Sequence, residues 1–232
     1  ALWRARQAGY VLSDDPFWRA EYYLPGLDET IPETYSPATR HAIQAYALYV
    51  RALIGDDPRL ARDALALLEE AGLEGLTLEA CAWLMGALAS QTQDRRARAA
   101  VYALERHLDN RAVETASDIH FTTHYEQDSH LLMHSQPRTD AVVLDALIAL
   151  NPDSWMVTKT MRGLMNARRQ GRWANTQENA FILQAAGRYL QTFEDDETEL
   201  LLELWLGELY AGDQYYQGRS TELRELSLPI AA

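Results

Sequence analysis

From residue 1 to about residue 192, apolar residues recur at three- and four-residue spacing, and breakers punctuate the runs. That spacing predicts amphipathic helices. In "SPATRHAIQAYALYVRALIG" (36–55), Ala42, Ala45, Tyr46, Tyr49, Val50 and Leu53 form one stripe, with proline near the start and Gly55 as the stop. "DPRLARDALALLEEAG" (57–72) places Asp57 as the cap, Pro58 at the first helical position and Gly72 at the end. "TLEACAWLMGALAS" (77–90) is apolar almost all round, which predicts burial on most sides. "DRRARAAVYALERHLD" (94–109) is amphipathic with an arginine-rich outer face. Segments 138–150, 152–169 and 175–193 complete the series.

Two kinds of helix alternate. One kind is rich in alanine and is expected to open on a threonine cap, at Thr39, Thr77, Thr139 and Thr176. The other is longer and more charged. The threonines lie 38, 62 and 37 residues apart, a period near forty with one insertion at 110–137. This is the signature of repeated helix pairs. The alanine-rich helices would form an inner ring and the charged ones an outer layer, giving an α/α toroid or an open α-solenoid.

After about residue 195 the period shortens to two. Leu200, Leu202, Leu204 and Leu206 share one face, and Leu201, Glu203 and Trp205 the other. Leu209, Tyr216, Leu223, Leu226 and Leu228 continue the alternation between glycines, predicting two or three antiparallel strands. The expected class is therefore mainly α with a short β segment, divided into 1–195 and 196–232. The chain opens without an initiator methionine, partway through an amphipathic pattern, and is expected to be a segment of a longer protein.

The length of 232 residues suits one large domain, and 47% apolar residues supply a sizeable core. The net charge of −13 argues against nucleic acid or an anionic membrane as partner. No apolar run approaches a membrane span. The lone cysteine, Cys81, excludes an internal disulfide and sits in an apolar run, so a buried inert thiol is expected. Lys159 is the sole lysine.

Four of the six histidines fall in "HFTTHYEQDSHLLMH" (120–134), as His120/His124 and His130/His134. On a helix, each pair would put two imidazoles on one face, the spacing that suits zinc. The flanking β-branched and aromatic residues favour a hairpin instead, turning at Gln127-Asp128. In that register His120 and His124 share one face, and His130 and His134 the other. The four do not converge, so the expectation is no metal and no cofactor. The Asp-Asp-Pro pairs at 14–16 and 56–58 read as helix caps. The six tryptophans, one per element, read as core. The sequence carries no Ser-His-Asp arrangement, phosphate-binding glycine loop or paired cysteines, and no enzymatic activity is expected of it.

"GRWANTQENAFILQAAGRYL" (171–190) combines Arg172-Trp173, a short gap and Thr176-Gln177-Glu178 opening a helix. Together with "YSPATRHAIQAYALYVRALIG" (35–55) and "RTDAVVLDALIALNPD" (138–153), it resembles the bacterial α2-macroglobulin family. The resemblance implies a thioester-domain toroid over 1–195, running into CUB-like strands over 196–232. It implies protease trapping by the full-length protein, with target proteases and other domains of the same chain as partners, and an extracytoplasmic location. The family's Cys-x-Glu-Gln thioester motif is not matched by Cys81-Ala82-Trp83-Leu84. Nor does His124-Tyr125-Glu126-Gln127 supply it, since imidazole cannot replace a thiolate there. The thioester would lie outside this chain, or the protein would be a thioester-less helical scaffold that binds protein. A toroid enzyme would instead need two or more carboxylates converging on the central cavity.

Overall fold

Short polar side chains cap the starts of many of the helices. The computed structural model describes residues 2–55, 57–91, 93–123, 128, 130–193 and 199–217. Its helices are α1 (Leu2–Gln7), α2 (Asp15–Tyr23), α3 (Pro37–Ile54), α4 (Leu60–Ala71), α5 (Leu78–Ala89), α6 (Arg95–Arg111), α7 (Gln136–Leu150), α8 (Trp155–Asn166) and α9 (Thr176–Phe193). Two short strands, β1 (Ala112–Glu114) and β2 (Ile119–Phe121), lie between α6 and α7. A hairpin of β3 (Glu199–Leu206) and β4 (Leu209–Gln217) follows α9. The chain divides into two compact units, Ala1–Arg188 and Tyr189–Ala232.

Of the four threonines expected as caps, only Thr77 has that role shown, its hydroxyl accepting from the Ala80 N–H. Ser36 caps α3 and Ser135 caps α7, each three or four residues before the expected threonine. Thr39 and Thr139 lie inside their helices, fully buried. Thr139 donates to Glu79 Oε1 at 3.2 Å, so its hydroxyl is a core hydrogen bond rather than a cap. The acids of the Asp-Asp-Pro pairs meet the expectation in part, with Asp15 in the first turn of α2 and Asp57 accepting a backbone N–H ahead of α4. Asp14 makes no cap bond and pairs with Arg6, and Asp15 pairs with Arg19. Asp57 accepts from Arg59 N and binds Arg51 at 2.6 Å; Asp56 lies outside the described residues.

Helix α5 is the hub of the first unit. Ten of its twelve residues are buried, as expected for a helix apolar all round. It packs against α3, α4, α6 and α7, while α4 also covers α3 and α8 covers α7. Helix α6 shows the contrast. Its buried residues, Ala97, Ala100, Leu104, His107 and Leu108, form one stripe, and its arginines face out. Leu84, Leu88, Leu104, Leu108, Leu144 and Leu147 are among the fully buried core side chains. Each removes enough apolar surface to contribute about 1.5–3 kcal/mol.

The hairpin expected at residues 119–134 is replaced by another pairing. β2 pairs antiparallel with β1, His120 standing opposite Val113. Residues 130–133 form turns, not a strand. Thr115 N–H donating to Asp118 O at 2.9 Å closes the β1–β2 loop.

In the second unit, β3 and β4 pair antiparallel around Gly207, whose φ of 65° suits glycine in the tight turn. The register shifts between Leu204 and Trp205. Two strands are present here among the described residues; a third, expected around Leu223–Leu228, falls outside them.

Candidate functional site

Helices α3, α5, α7 and α9 line a cavity. It measures about 580 Å³. Its walls come from α3 (Tyr46, Tyr49, Val50, Leu53), α5 (Ala82, Trp83, Gly86), α7 (Val142, Asp145, Ala146) and α9 (Phe181, Gln184, Arg188), with Trp3 and Phe17 from the first two helices. Ala82, Gly86 and Ala146 are the small residues of this lining, and the Tyr49 ring packs directly on Gly86. The rings of Tyr46, Trp83 and Phe181 cluster on one side, with centroids 4.8–6.3 Å apart. Arg138 lies 5.8 Å from the Trp83 centroid and 5.2 Å from that of Phe181, a cation–π contact.

One polar cluster interrupts these apolar walls. Asp145 accepts from Tyr49 Oη at 3.2 Å and from Arg188 Nε at 2.8 Å. Among the described residues Asp145 is the one carboxylate on the cavity wall, so the paired acids that a toroid enzyme would require are not brought together.

A second polar system surrounds the starts of α3, α5 and α7, where the 110–137 segment is fastened. Asp128 accepts from Ser36 N at 2.7 Å, ahead of α3. Thr123 Oγ1 accepts from Leu78 N at 3.2 Å, at the start of α5. Asp140, only 2% exposed, accepts from Phe121 N at 2.7 Å, and its other oxygen lies 3.1 Å from His120 Nδ1. Asp118 approaches His120 Nε2 at 3.5 Å. The Asp140 hydrogen bond, reinforced by both carboxylates, raises the His120 pKa above the usual imidazole value. Burial pushes the Asp140 pKa up, although its bonds to His120 and Phe121 oppose this. Glu79, fully buried near the start of α5, lies 3.8 Å from His134 Nδ1 and 3.5 Å from Arg138 Nε.

Among the described residues, His120, His130 and His134 have separate surroundings. His120 is engaged by Asp140 and Asp118, and His134 stands near Glu79. His130 lies in a turn beside Asp128, and His124 falls outside the described residues, as does the rest of 124–127. No group of three or more His, Cys, Asp or Glu suited to a metal occurs among the described residues. Cys81 is fully buried, and burial pushes its thiol pKa up to about 12. Of the tryptophans, Trp83 and Trp173 are buried as expected, but Trp18 and Trp155 are more than half exposed. No helix among the described residues is long and apolar enough to cross a membrane.

Tyr49, Gly86, Asp145 and Arg188 were not singled out by sequence as a site. Two signals were present: a lone acid in "AVVLDALIAL" and a glycine inside the apolar helix "AWLMGALA".

Fold and site together define a mainly helical chain with a largely apolar, partly open cavity whose described lining carries the Tyr49–Asp145–Arg188 cluster. No family model matches the chain. It is similar to circularly permutated Ras protein 2 of Dictyostelium discoideum, at 26% identity over 167 residues. The match covers 67% of this chain and 4% of that protein, so the chain spans a small fraction of the relative's length. This relationship overturns the α2-macroglobulin resemblance. Protease trapping, the sheltered thioester, target proteases as partners, the CUB-like label and the thioester-less scaffold fall with it. The residues that carried the resemblance have local work. Trp173 Nε1 donates to Leu164 O at 2.8 Å, and Glu178 accepts from Ala174 N while Asn175 Oδ1 accepts from Glu178 N. Reciprocal capping of this kind recurs at helix starts regardless of family.

Proposed function

We propose that this chain is a helical ligand-binding module of a longer Ras-type protein, and that it is not the segment that hydrolyses nucleotide. The cavity of about 580 Å³ carries the reading. Small-molecule sites are commonly apolar clefts of roughly 300–1,000 Å³ with a few converging polar groups. The alternating inner and outer helices are read as an arc of an α/α toroid around that cavity.

The name of the relative raises nucleotide hydrolysis for the whole protein. A phosphate-binding loop needs a glycine-rich turn whose lysine opens a helix. The sole lysine here, Lys159, lies inside α8, paired with Glu114 and 5.6 Å from the Trp155 ring centroid.

The test is titration with Nile red, a neutral dye whose emission reports apolar surroundings. Saturable binding to the chain is expected, weakened at least roughly tenfold by Ala146→Phe and by Ala149→Phe. The second position lies at an exposed edge and keeps the test valid where the first disturbs folding. Undiminished binding in both variants, or saturable micromolar binding of a fluorescent guanine nucleotide to the chain, would refute the proposal.

A further inference from the structure

Resting on that reading, we propose that α1 is a clasp for the cavity: it closes on a bound compound through Leu2 and Trp3, and Arg6 latches it to α2.

The cavity lies at one end of the helices that form it. Its lining includes Ile54, Ala89 and Leu150, the last residues of α3, α5 and α7. The opposite ends of these helices hold the 110–137 segment. α1 and α2 complete the lining, with Leu2 and Trp3 from one and Pro16, Phe17 and Ala20 from the other.

The two helices are held differently. α2 packs on α3 and its Phe17 is buried, so it forms a settled wall. α1 has six residues, well under the roughly 12–15 at which an isolated helix becomes stable. It ends at Gly9, whose φ of 87° suits glycine and whose N–H donates to Arg6 O at 3.0 Å. Tyr10 and Val11, which follow, are exposed. Leu2 is 51% exposed and Trp3 half-buried, so apolar surface stands uncovered at the edge of the cavity. A compound in the cavity covers that surface, and its removal from water favours the closed position.

Arg6 is the latch. It pairs with Asp14, and its guanidinium lies 4.7 Å from the Phe17 ring centroid, a cation–π contact. Arg6 and Asp14 are 46% and 83% exposed, and an ion pair so open to water is weak enough to part and re-form. Ligand and latch favour the same position of α1, so each strengthens the other by the same factor. Arg6 is not itself part of the cavity lining, so it acts on a bound compound through the elements it joins.

The test measures Nile red release from the whole chain by stopped flow. Arg6→Ala and Trp3→Ala are each expected to speed release roughly fivefold. Asp128→Ala, which loosens the opposite helix ends, should leave release unchanged. A chain carrying Arg6→Cys and Asp14→Cys, joined by a bismaleimide with a cleavable disulfide, holds α1 closed without the guanidinium. Cys81 is buried and stays unmodified. The joined chain should release the dye at least as slowly as wild type, and reductant should restore fast release. Unchanged release in Arg6→Ala, or fast release that joining does not slow, overturns the clasp and leaves the cavity reading standing. Equal acceleration by Asp128→Ala also overturns it, because general loosening then explains the effect. No Nile red binding by wild type removes both.

Discussion

Replacing His120 by glutamine tests whether the insertion is fastened by a charge. In the native protein His120 Nδ1 and Asp140 Oδ2 are 3.1 Å apart, and Asp118 lies on the far side of the ring. A hydrogen bond to a charged group contributes about 1.5–3 kcal/mol. His120 retains 30% of its side-chain exposure, which discounts this to about 1–2 kcal/mol. The sign follows from linkage. The folded pKa of His120 is raised, so its contribution is fully present below the unfolded value of about 6.5 and is lost as pH rises through the folded value. The raised pKa of Asp140 adds a loss of the same sign above the ordinary carboxylate range. His107 acts oppositely: burial lowers its pKa, so its contribution is present above about 6.5 and is lost as pH falls. His107 is common to both proteins, so comparing wild type with His120→Gln cancels it. The assay is urea unfolding followed by circular dichroism at about pH 6 and about pH 9. Wild type should exceed His120→Gln by about 1–2 kcal/mol at the lower pH and by much less at the higher. An equal difference at the two pH values would refute the reasoning.

Two further outcomes follow from buried groups. Cys81, with its thiol pKa near 12, should react with a disulfide reagent only in denaturant; rapid reaction of the native chain would contradict its burial. Glu178→Ala removes the acceptor of Ala174 N and should cost about 1 kcal/mol in urea unfolding, with Glu178→Gln retaining most of the stability; equal losses in both would show that capping is not what Glu178 contributes.

Helix positions were legible in the sequence because burial imposes a period. The all-round apolar face of α5 is found buried, but of the α3 stripe only Ala42 and Ala45 are: Tyr46 is exposed, Tyr49, Val50 and Leu53 are half-buried, and Leu48, outside the stripe, joins the core. Cap identity was less legible, because Ser36 and Thr39, or Ser135 and Thr139, satisfy the same local chemistry and differ only in tertiary surroundings. The histidine stretch failed for a related reason. Alternation at 119–125 predicts a strand but cannot name its partner, and β1 was the partner. The cavity was illegible because it depends on residues as distant in sequence as Tyr49, Gly86, Asp145 and Arg188. Alanines that line a void and alanines that allow close packing look alike in one dimension. The β3–β4 turn, by contrast, was marked by its own glycine.

The fastening of the insertion also bears on how the chain assembles. Neighbouring helices such as α3–α4, α5–α6 and α7–α8 meet through short connections, so their pairing requires little loop closure. The bond from Ser36 to Asp128 joins residues 92 apart, and that from Tyr49 to Asp145 joins residues 96 apart. Closing such long loops costs more entropy than joining neighbouring helices, so the closure over the helix starts and the Tyr49–Asp145 contact are the entropically costlier parts of the fold to assemble.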